Sequence, residues 1–145
     1  MKQPWHLTLE LIDADPVLLA DLERTYSFLL EGPKQIDMTR ISIPYVFPYT
    51  AEDPLESGVT GFVVLAESHI SIHSYQNKGT SYLDCFSCRV FEPENFIKLA
   101  KETFGSLRYK FCLIDRNSQT IIDKGEVMCY NEETGNMRGF IRHTC

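Results

Sequence analysis

An apolar stretch in the middle of the chain, residues 62–66, is followed at once by a dense group of reactive side chains. The next seven residues supply a carboxylate, two hydroxyls and two imidazoles, from Glu67, Ser68, His69, Ser71 and His73. Such a group places a nucleophile beside side chains that transfer protons near neutral pH. This segment is therefore the first candidate for a chemical function, and the other elements are interpreted by how they position it.

Ser68 is the first candidate nucleophile because it directly follows an acid at the end of an apolar strand. If the backbone is strained there, the serine can attack its own preceding carbonyl, that of Glu67. A nearby histidine can move protons, a hydroxyl such as that of Thr60 can stabilise an oxyanion, and Cys88 can donate or accept a proton. A solvated or hydrogen-bonded polar strand face is the alternative interpretation.

The spacing of the possible metal ligands argues against a metal site. His69 and His73 share one strand face with Ser71, but they lie roughly 13 Å apart along an ideal strand. Cys85 and Cys88 form a C-x-x-C pair, which is often a zinc or redox signal, yet positions i and i+3 of a strand point to opposite faces. The chain also lacks a G-x-S-x-G elbow, so neither a metal site nor a hydrolase triad is predicted.

The composition indicates one globular domain of 145 residues, with 43% hydrophobic and 12% aromatic residues. The net charge of −6, without a basic cluster, argues against a nucleic-acid partner. No apolar run approaches the roughly 20 residues of a membrane span, and the first residues lack the apolar core of a signal peptide. With five cysteines expected as reduced thiols, we expect a soluble, cytoplasmic protein.

Hydrophobic periodicity predicts one amphipathic helix in each half of the chain. The first spans residues 16–31 and ends at Gly32-Pro33, and the second opens at Glu92-Pro93 and closes at Gly105. Apolar runs predict strands at residues 5–12, 59–66, 69–75, 80–90, 107–115 and, more weakly, 121–130. Residues 35–48 look extended, 49–58 form a loop, 76–79 a hairpin connection, and the residues from 131 onward a loose tail.

The order of these elements is β-α-β-β-β-β-α-β, with room for one more strand at the end. Consecutive strands in the middle favour a mostly antiparallel sheet with both helices on one face, an α+β two-layer sandwich. Such an arrangement leaves the other face of the sheet uncovered. We expect a second copy of the chain to cover it, in a homodimer that forms through the sheet.

The segment Glu67-Ser-His-Ile-Ser-Ile-His73 resembles the S-adenosylmethionine decarboxylase proenzymes in their short prokaryotic form. The similarity continues upstream through Gly58-Val-Thr-Gly61 and downstream through Asp84-Cys-Phe-Ser-Cys88. It is strongest over residues 55–90, while the β-α start and the helix at 93–104 agree more loosely in order and spacing. The E-S-H-x-[ST]-I-H stretch, followed by a cysteine twenty residues after the serine, is a specific signature.

The resemblance implies that the chain makes its own cofactor. Ser68 would attack the carbonyl of Glu67 to form an ester, and β-elimination would cut the single domain 1–145 into residues 1–67 and 68–145. Ser68 would become a pyruvoyl group, which forms a Schiff base with the amine of a small-molecule substrate. On an ideal strand Ser68 and His73 face opposite sides, so we expect a turn or bulge at Ser68.

The resemblance also assigns roles to three further residues. Thr60 would assist the acyl shift, and His73 would remove the α-proton during processing. Cys88 would reprotonate the substrate carbon after decarboxylation. Tyr75 and Glu67 are expected to contact the substrate, which the resemblance identifies as S-adenosylmethionine in spermidine (polyamine) biosynthesis.

The chain departs from the family pattern where a substrate pocket is expected. Typical members continue after the histidine with Thr-Trp-Pro-Glu, where this chain has Ser74-Tyr-Gln-Asn77, and carry an upstream aromatic where it has Asp53-Pro-Leu-Glu56. Tyr75 offers one flat surface for an adenine ring, and no second surface is obvious. Decarboxylation of ornithine or arginine, with the cation bound by the acidic loop 52–56, is therefore one alternative. A non-processing α/β binding module is the other.

Overall fold

Eight strands build the sheet, with the bounds β1 Trp5–Ile12, β2 Tyr45–Tyr49, β3 Gly58–Leu65, β4 Ser68–Tyr75, β5 Thr80–Ser87, β6 Arg108–Asp115, β7 Thr120–Met128 and β8 Gly139–His143. In space their order is β2-β3-β4-β5-β1-β6-β7-β8, and every neighbouring pair is antiparallel. This computed structural model describes residues 2–128 and, for the backbone alone, residues 139–143. The predicted antiparallel sheet is confirmed.

The helical segments are α1 Pro16–Leu19, α2 Leu22–Glu31 and α3 Pro93–Phe104. The prediction of one helix over residues 16–31 was wrong, because the chain breaks at Ala20-Asp21. Asp21 there begins a second helix, since its carboxylate accepts a hydrogen bond from the Arg24 backbone N–H at 3.0 Å. The C-terminal helix was predicted correctly, and Gly105 ends it in the left-handed conformation.

Two further predictions need correction. The segment 35–48 is not extended throughout: a 3-10 helix occupies Gly32–Ile36, and only Tyr45–Tyr49 forms a strand. Nor does all of the tail lack regular structure, because β8 pairs with β7 through residues 139–143. The rest of that predicted tail, and the last two residues of the strand predicted at 121–130, lie outside the described residues.

The core lies between the helices and one face of the sheet. Alternation along β1 buries Leu7, Leu9 and Leu11, and the same face of β4 buries Ile70 and Ile72. The helices cover this face with buried side chains that include Leu19, Leu29, Phe28, Phe96 and Phe104. The α+β two-layer sandwich predicted from the element order is therefore confirmed.

Within residues 2–128 and 139–143, the opposite face of the sheet carries no helix, and we call it the open face. Large side chains on it remain accessible, with Phe62 at 41%, Val64 at 37% and Tyr82 at 48% exposure. His69, Ser71 and His73 share this face, as their spacing predicted. Among the described residues, no helix combines the length and apolar character needed to span a membrane.

Candidate active site

The bond between Glu67 and Ser68 lies at the hairpin that joins β3 to β4. Leu65 pairs with Ser68, so Ala66 and Glu67 alone make the turn. Glu67 has φ +65°, in the left-handed region that non-glycine residues seldom adopt. The expected turn thus falls at Glu67, one residue before Ser68. Ser68 itself is not bulged, because it keeps regular pairing with Leu65 and Ser87.

Cys88 lies beside Ser68 because β4 and β5 are neighbours. Ser68 pairs with Ser87, the last residue of β5, and Cys88 follows at once. The Cys88 backbone N–H donates to the Ser68 Oγ at 3.4 Å. A cavity of about 470 Å³ opens here, lined by Lys2, Ala66, Glu67, Ser68, Cys88 and Arg89. The structure therefore brings together three of the predicted site residues, namely the two at the bond and the cysteine.

Lys2 reaches this cavity from the start of the chain. Its ammonium donates a hydrogen bond to Glu67 Oε2, and this contact lowers the pKa of the Glu67 carboxyl. The Asn117 side chain holds the segment by donating to the Lys2 carbonyl at 3.2 Å. Sequence reasoning missed Lys2, because 65 residues separate it from Glu67 and no local pattern links them.

Thr60 and His73 form a second group on the open face. They are direct partners in the β3–β4 ladder, and Thr60 Oγ1 lies 3.1 Å from His73 Nδ1. This hydrogen bond fixes the orientation of the imidazole and leaves Nε2 available for proton transfer. The two residues line a cavity of about 320 Å³ together with Tyr49, Glu56, Gly58, Ser74 and Tyr75.

The two groups do not meet within one chain. His73 lies five residues along β4 from Ser68, which corresponds to about 17 Å at the usual rise of a strand. Ile70 and Ile72, on the same side of β4 as Ser68, are buried under the helices, whereas His73 is on the open face. The predicted set of Ser68, Thr60 and His73 is therefore divided between two cavities.

Tyr49 is a further residue that sequence reasoning missed. It pairs with Gly58 at the end of β2 and lines the same cavity as Tyr75 and His73. Tyr49 thus gives this cavity a second aromatic ring, beside that of Tyr75, which was the only one predicted from the sequence. The two tyrosines of segment 45–49 could have suggested such a ring. The β2–β3 register that places Tyr49 at the cavity, however, could not be predicted from the sequence.

A third group of polar side chains on the open face lies around Phe86. His6 Nε2 lies 2.8 Å from Asp84 Oδ1, and this hydrogen bond lowers the pKa of Asp84. The His69 ring lies 5.4 Å from the Phe86 ring, and partial burial lowers the pKa of His69. His69 therefore packs against an aromatic side chain and lines neither the cavity of Ser68 nor that of His73.

The two cysteines of the C-x-x-C pair lie in different environments. Cys85 is fully buried under the helices, where burial raises the pKa of its thiol, whereas Cys88 lies beyond the end of β5. In the part of the chain that the structure describes, no three histidine, cysteine or acidic side chains are grouped to hold a metal ion. Cys85 is thus a core side chain, and Cys88 is the cysteine that faces a cavity.

Comparison with known proteins identifies the family. The sequence profile of the S-adenosylmethionine decarboxylase family matches residues 5–117. The S-adenosylmethionine decarboxylase proenzyme of Thermococcus gammatolerans is 33% identical over 101 residues, which cover 69% of this chain and 66% of the relative. That of Pyrococcus furiosus is also 33% identical, over 69% of this chain and 68% of the relative. The proenzyme of Archaeoglobus fulgidus is 31% identical over 77% of this chain and 95% of the relative.

A two-layer α+β sandwich with a Glu-Ser turn beside a cysteine agrees with a carboxy-lyase that is made as a proenzyme. The chain belongs to the S-adenosylmethionine decarboxylase family.

Proposed function

We propose that this chain is a pyruvoyl-dependent decarboxylase that cleaves itself between Glu67 and Ser68 and acts on S-adenosylmethionine in polyamine biosynthesis. The substrate is the one that the names of its relatives give for them. The observation that carries the proposal is the position of the bond: it follows a residue in the left-handed conformation and lies next to Cys88. Strain at this turn favours attack on the carbonyl, because the acyl shift releases it.

The cut follows from the chemistry of the serine. Its Oγ adds to the carbonyl carbon of Glu67, and the C–N bond breaks to leave an ester and the free amine of Ser68. Removal of the Ser68 α-proton then breaks the Cβ–Oγ bond, so that Glu67 leaves as a carboxylate. Hydrolysis of the remaining enamine releases ammonia and leaves a ketone at residue 68. The fragments are residues 1–67 and 68–145.

The residues around Ser68 fit this group. Cys88 adjoins it at the end of β5, and the cavity of about 470 Å³ gives a substrate access to it. A pyruvoyl group supplies a ketone that binds the substrate amine and accepts the electron pair of the breaking carbon–carboxylate bond. Cys88 then delivers a proton to the substrate carbon, which is the role of a thiol placed beside the reacting atom.

A homodimer formed through the open face completes the site. Within one protomer the base and the serine are about 17 Å apart on opposite sides of β4. A second copy that packs in the antiparallel sense on the open face places its own Thr60 and His73 over the β3–β4 turn of the first, at the end of the sheet where the Glu67–Ser68 peptide bond lies. Two-fold symmetry then creates two equal sites. The exposed Phe62, Val64 and Tyr82 supply apolar surface for this contact.

The dimer assigns the processing roles. The imidazole of His73, oriented by Thr60, removes the α-proton of the serine in the other copy. The Thr60 hydroxyl, as a hydrogen-bond donor in the same cavity, stabilises the oxyanion of the acyl shift. The rings of Tyr75 and Tyr49 supply flat surfaces for the adenine of S-adenosylmethionine.

A basic amino acid is the second candidate substrate, and one observation favours it. Of the three acids in the loop 52–56, Glu56 lines the cavity that holds His73 and Tyr75. A carboxylate there suits the terminal ammonium of ornithine or the guanidinium of arginine. Carbon dioxide release from S-adenosylmethionine, ornithine and arginine, assayed side by side on the processed protein, distinguishes the two candidates.

Intact-mass measurement tests the proposal itself. The freshly purified protein should give two fragments that end and begin at the Glu67–Ser68 bond, and the second should start with a pyruvoyl group. Ser68→Ala should remain a single folded chain. A wild-type protein that stays uncut would overturn the enzyme proposal and leave the non-catalytic binding module.

A further inference from the structure

The two segments in which the chain departs from the family pattern, 53–56 and 74–77, contact each other directly, and Lys78, the residue after the second segment, adds another contact. Asn77 Nδ2 donates to the Pro54 carbonyl at 2.9 Å, and Lys78 Nζ donates to Glu56 Oε1 at 2.5 Å. Both partners lie in short 3-10 turns, Pro54–Glu56 and Gln76–Lys78. Although 22 residues separate Glu56 from Lys78, the two departures thus form one wall beside the cavity of His73.

This wall holds an ammonium group. Besides its contact with Glu56, Lys78 Nζ lies over the ring of Tyr75, 5.1 Å from its centroid. The rings of Tyr82 and Tyr75 pack in a T-shaped arrangement at a centroid distance of 6.0 Å. A carboxylate combined with an aromatic face is a common way of recognising a cation. The hydrogen bond to Glu56 also raises the pKa of Lys78, so the group is an ammonium at neutral pH.

The ammonium comes from the chain itself, on a flexible stem of four methylenes. The Lys78 side chain is 37% exposed and that of Glu56 is 53% exposed, so the pair stays in contact with solvent. Exposed pairs of this kind contribute little to stability and exchange readily. A second cation that enters the cavity can therefore take the place of Lys78 without loosening the fold, because the Asn77–Pro54 hydrogen bond still joins the two turns.

We propose that Glu56 and Tyr75 form the subsite for the side-chain cation of the substrate, and that Lys78 occupies it in the free protein as a tethered competitor. The inference rests on the proposed decarboxylase function and extends it to substrate specificity. The cation has two sources in the candidate substrates, the sulfonium of S-adenosylmethionine and the terminal ammonium of ornithine. A sulfonium has no N–H group to donate, so it gains from Tyr75 more than from Glu56, whereas an ammonium gains from both.

Lys78→Met and Glu56→Gln test the subsite, with Lys34→Met as the matched control. Lys34 forms an exposed ion pair with Glu31 at 2.7 Å, on the helical layer away from both cavities. Methionine keeps the length of the side chain and removes the competing charge. Lys78→Met should lower KM by up to about fivefold, the range that an exposed ion pair allows, with little change in kcat. Lys34→Met should leave KM unchanged.

Glu56→Gln should raise KM by about tenfold or more for a substrate with an ammonium, because it removes a charge-assisted hydrogen bond. In the Glu56→Gln background, Lys78→Met should no longer lower KM, because the lysine then has no carboxylate to occupy. Parallel assays with S-adenosylmethionine and ornithine identify the source of the cation: the true substrate is turned over, and its KM responds to both variants.

The outcomes separate the subsite from the proposed function. An uncut wild-type protein that releases no carbon dioxide would overturn the function and the subsite together. A processed, active protein whose KM is unchanged both in Glu56→Gln and in Lys78→Met would overturn the subsite alone. So would a Lys78→Met variant with a raised KM and a lowered Tm, which would identify the lysine as a structural link between the two turns.

Discussion

Ser68 and His73 lie on one strand, five residues apart, and project from opposite faces of the sheet. No change of rotamer brings a side chain of either residue across about 17 Å and through the sheet. The hydroxyl that begins the proposed cut and the imidazole that completes it therefore belong to different cavities of the same protomer. In the proposed homodimer, the His73 that acts on each Ser68 comes from the other copy of the chain.

Complementation between two defective chains tests this requirement. Ser68→Ala should not be cut at all, and His73→Ala should be cut slowly. When the two are co-expressed, a mixed dimer combines the intact Ser68 of one chain with the intact His73 of the other. With random pairing, roughly half of the His73→Ala chains should then be cut rapidly, while the Ser68→Ala chains stay whole. Intact-mass spectra of the mixture measure both, and an unchanged cut fraction would contradict the shared site.

Replacement of Cys88 should separate processing from turnover. Cys88→Ala removes the proposed proton donor, so processing should continue while kcat falls by about 100-fold or more. Cys85→Ala is the matched control, because that thiol is fully buried under the helices. It should keep kcat and lose stability, by about 1 kcal/mol for the small cavity. Wild-type turnover in Cys88→Ala would refute the assignment.

Asp84 should make stability depend on acid pH. The hydrogen bond with His6 lowers the pKa of Asp84 in the folded protein below its ordinary value, near 4. The folded state therefore binds fewer protons than the unfolded state as the pH falls below that value. The stabilisation is complete above it and is lost as the pH falls through the lower, folded pKa. Urea midpoints measured from pH 6 to pH 2 should fall less steeply in Asp84→Asn than in wild type.

An exposed pair provides the control for that experiment. Lys34 lowers the pKa of Glu31 in the same direction, but the pair is solvated on both sides. Glu31→Gln should change the acid limb less than Asp84→Asn does. An equal effect from the two variants would show that the His6–Asp84 contact is as weak as a surface pair.

Gly58 should tolerate no side chain. A Cβ at this position would lie 1.7 Å from the Ser74 carbonyl oxygen and 2.8 Å from its carbon, and the ladder atoms cannot withdraw. Gly58→Ala should therefore lower the free energy of unfolding by about 3 kcal/mol or more. It should also distort the cavity that Gly58 lines together with Thr60. Gly32→Ala is the control, since its Cβ would meet only Leu99 Cδ2 at 3.5 Å. Tm measurements on the two variants test this prediction, and similar values would contradict it.

Local patterns in the sequence were sufficient to predict most elements of the fold. The apolar runs of β3 and β4 and the helical period of α3 predicted those elements to within about two residues. The break before α2 was missed, because Asp21 reads as a polar residue on a helix face until its capping contact with Arg24 is seen. The position of β1 between β5 and β6 could not be predicted either, because it depends on pairings between residues far apart in the sequence.

The site was predicted only in part, again because local patterns do not reveal contacts between residues that are distant in sequence. The odd spacing of Ser68 and His73 already indicated opposite faces, and the structure leaves them there. Neighbours in sequence or in a predicted hairpin, such as Thr60 opposite His73, could be anticipated. Lys2 and Tyr49 could not, because each reaches its cavity through contacts distant in sequence.

The position of β1 has a consequence for the two fragments that the proposed cut would give. β1 belongs to residues 1–67, and both of its neighbours, β5 and β6, belong to residues 68–145. The two fragments are therefore interleaved, strand between strands, and neither can leave without opening the middle of the sheet. A nicked molecule should migrate as one body in native conditions and separate only in denaturant. We therefore expect β1 to pair with β5 and β6 before the proposed cut at the Glu67–Ser68 bond.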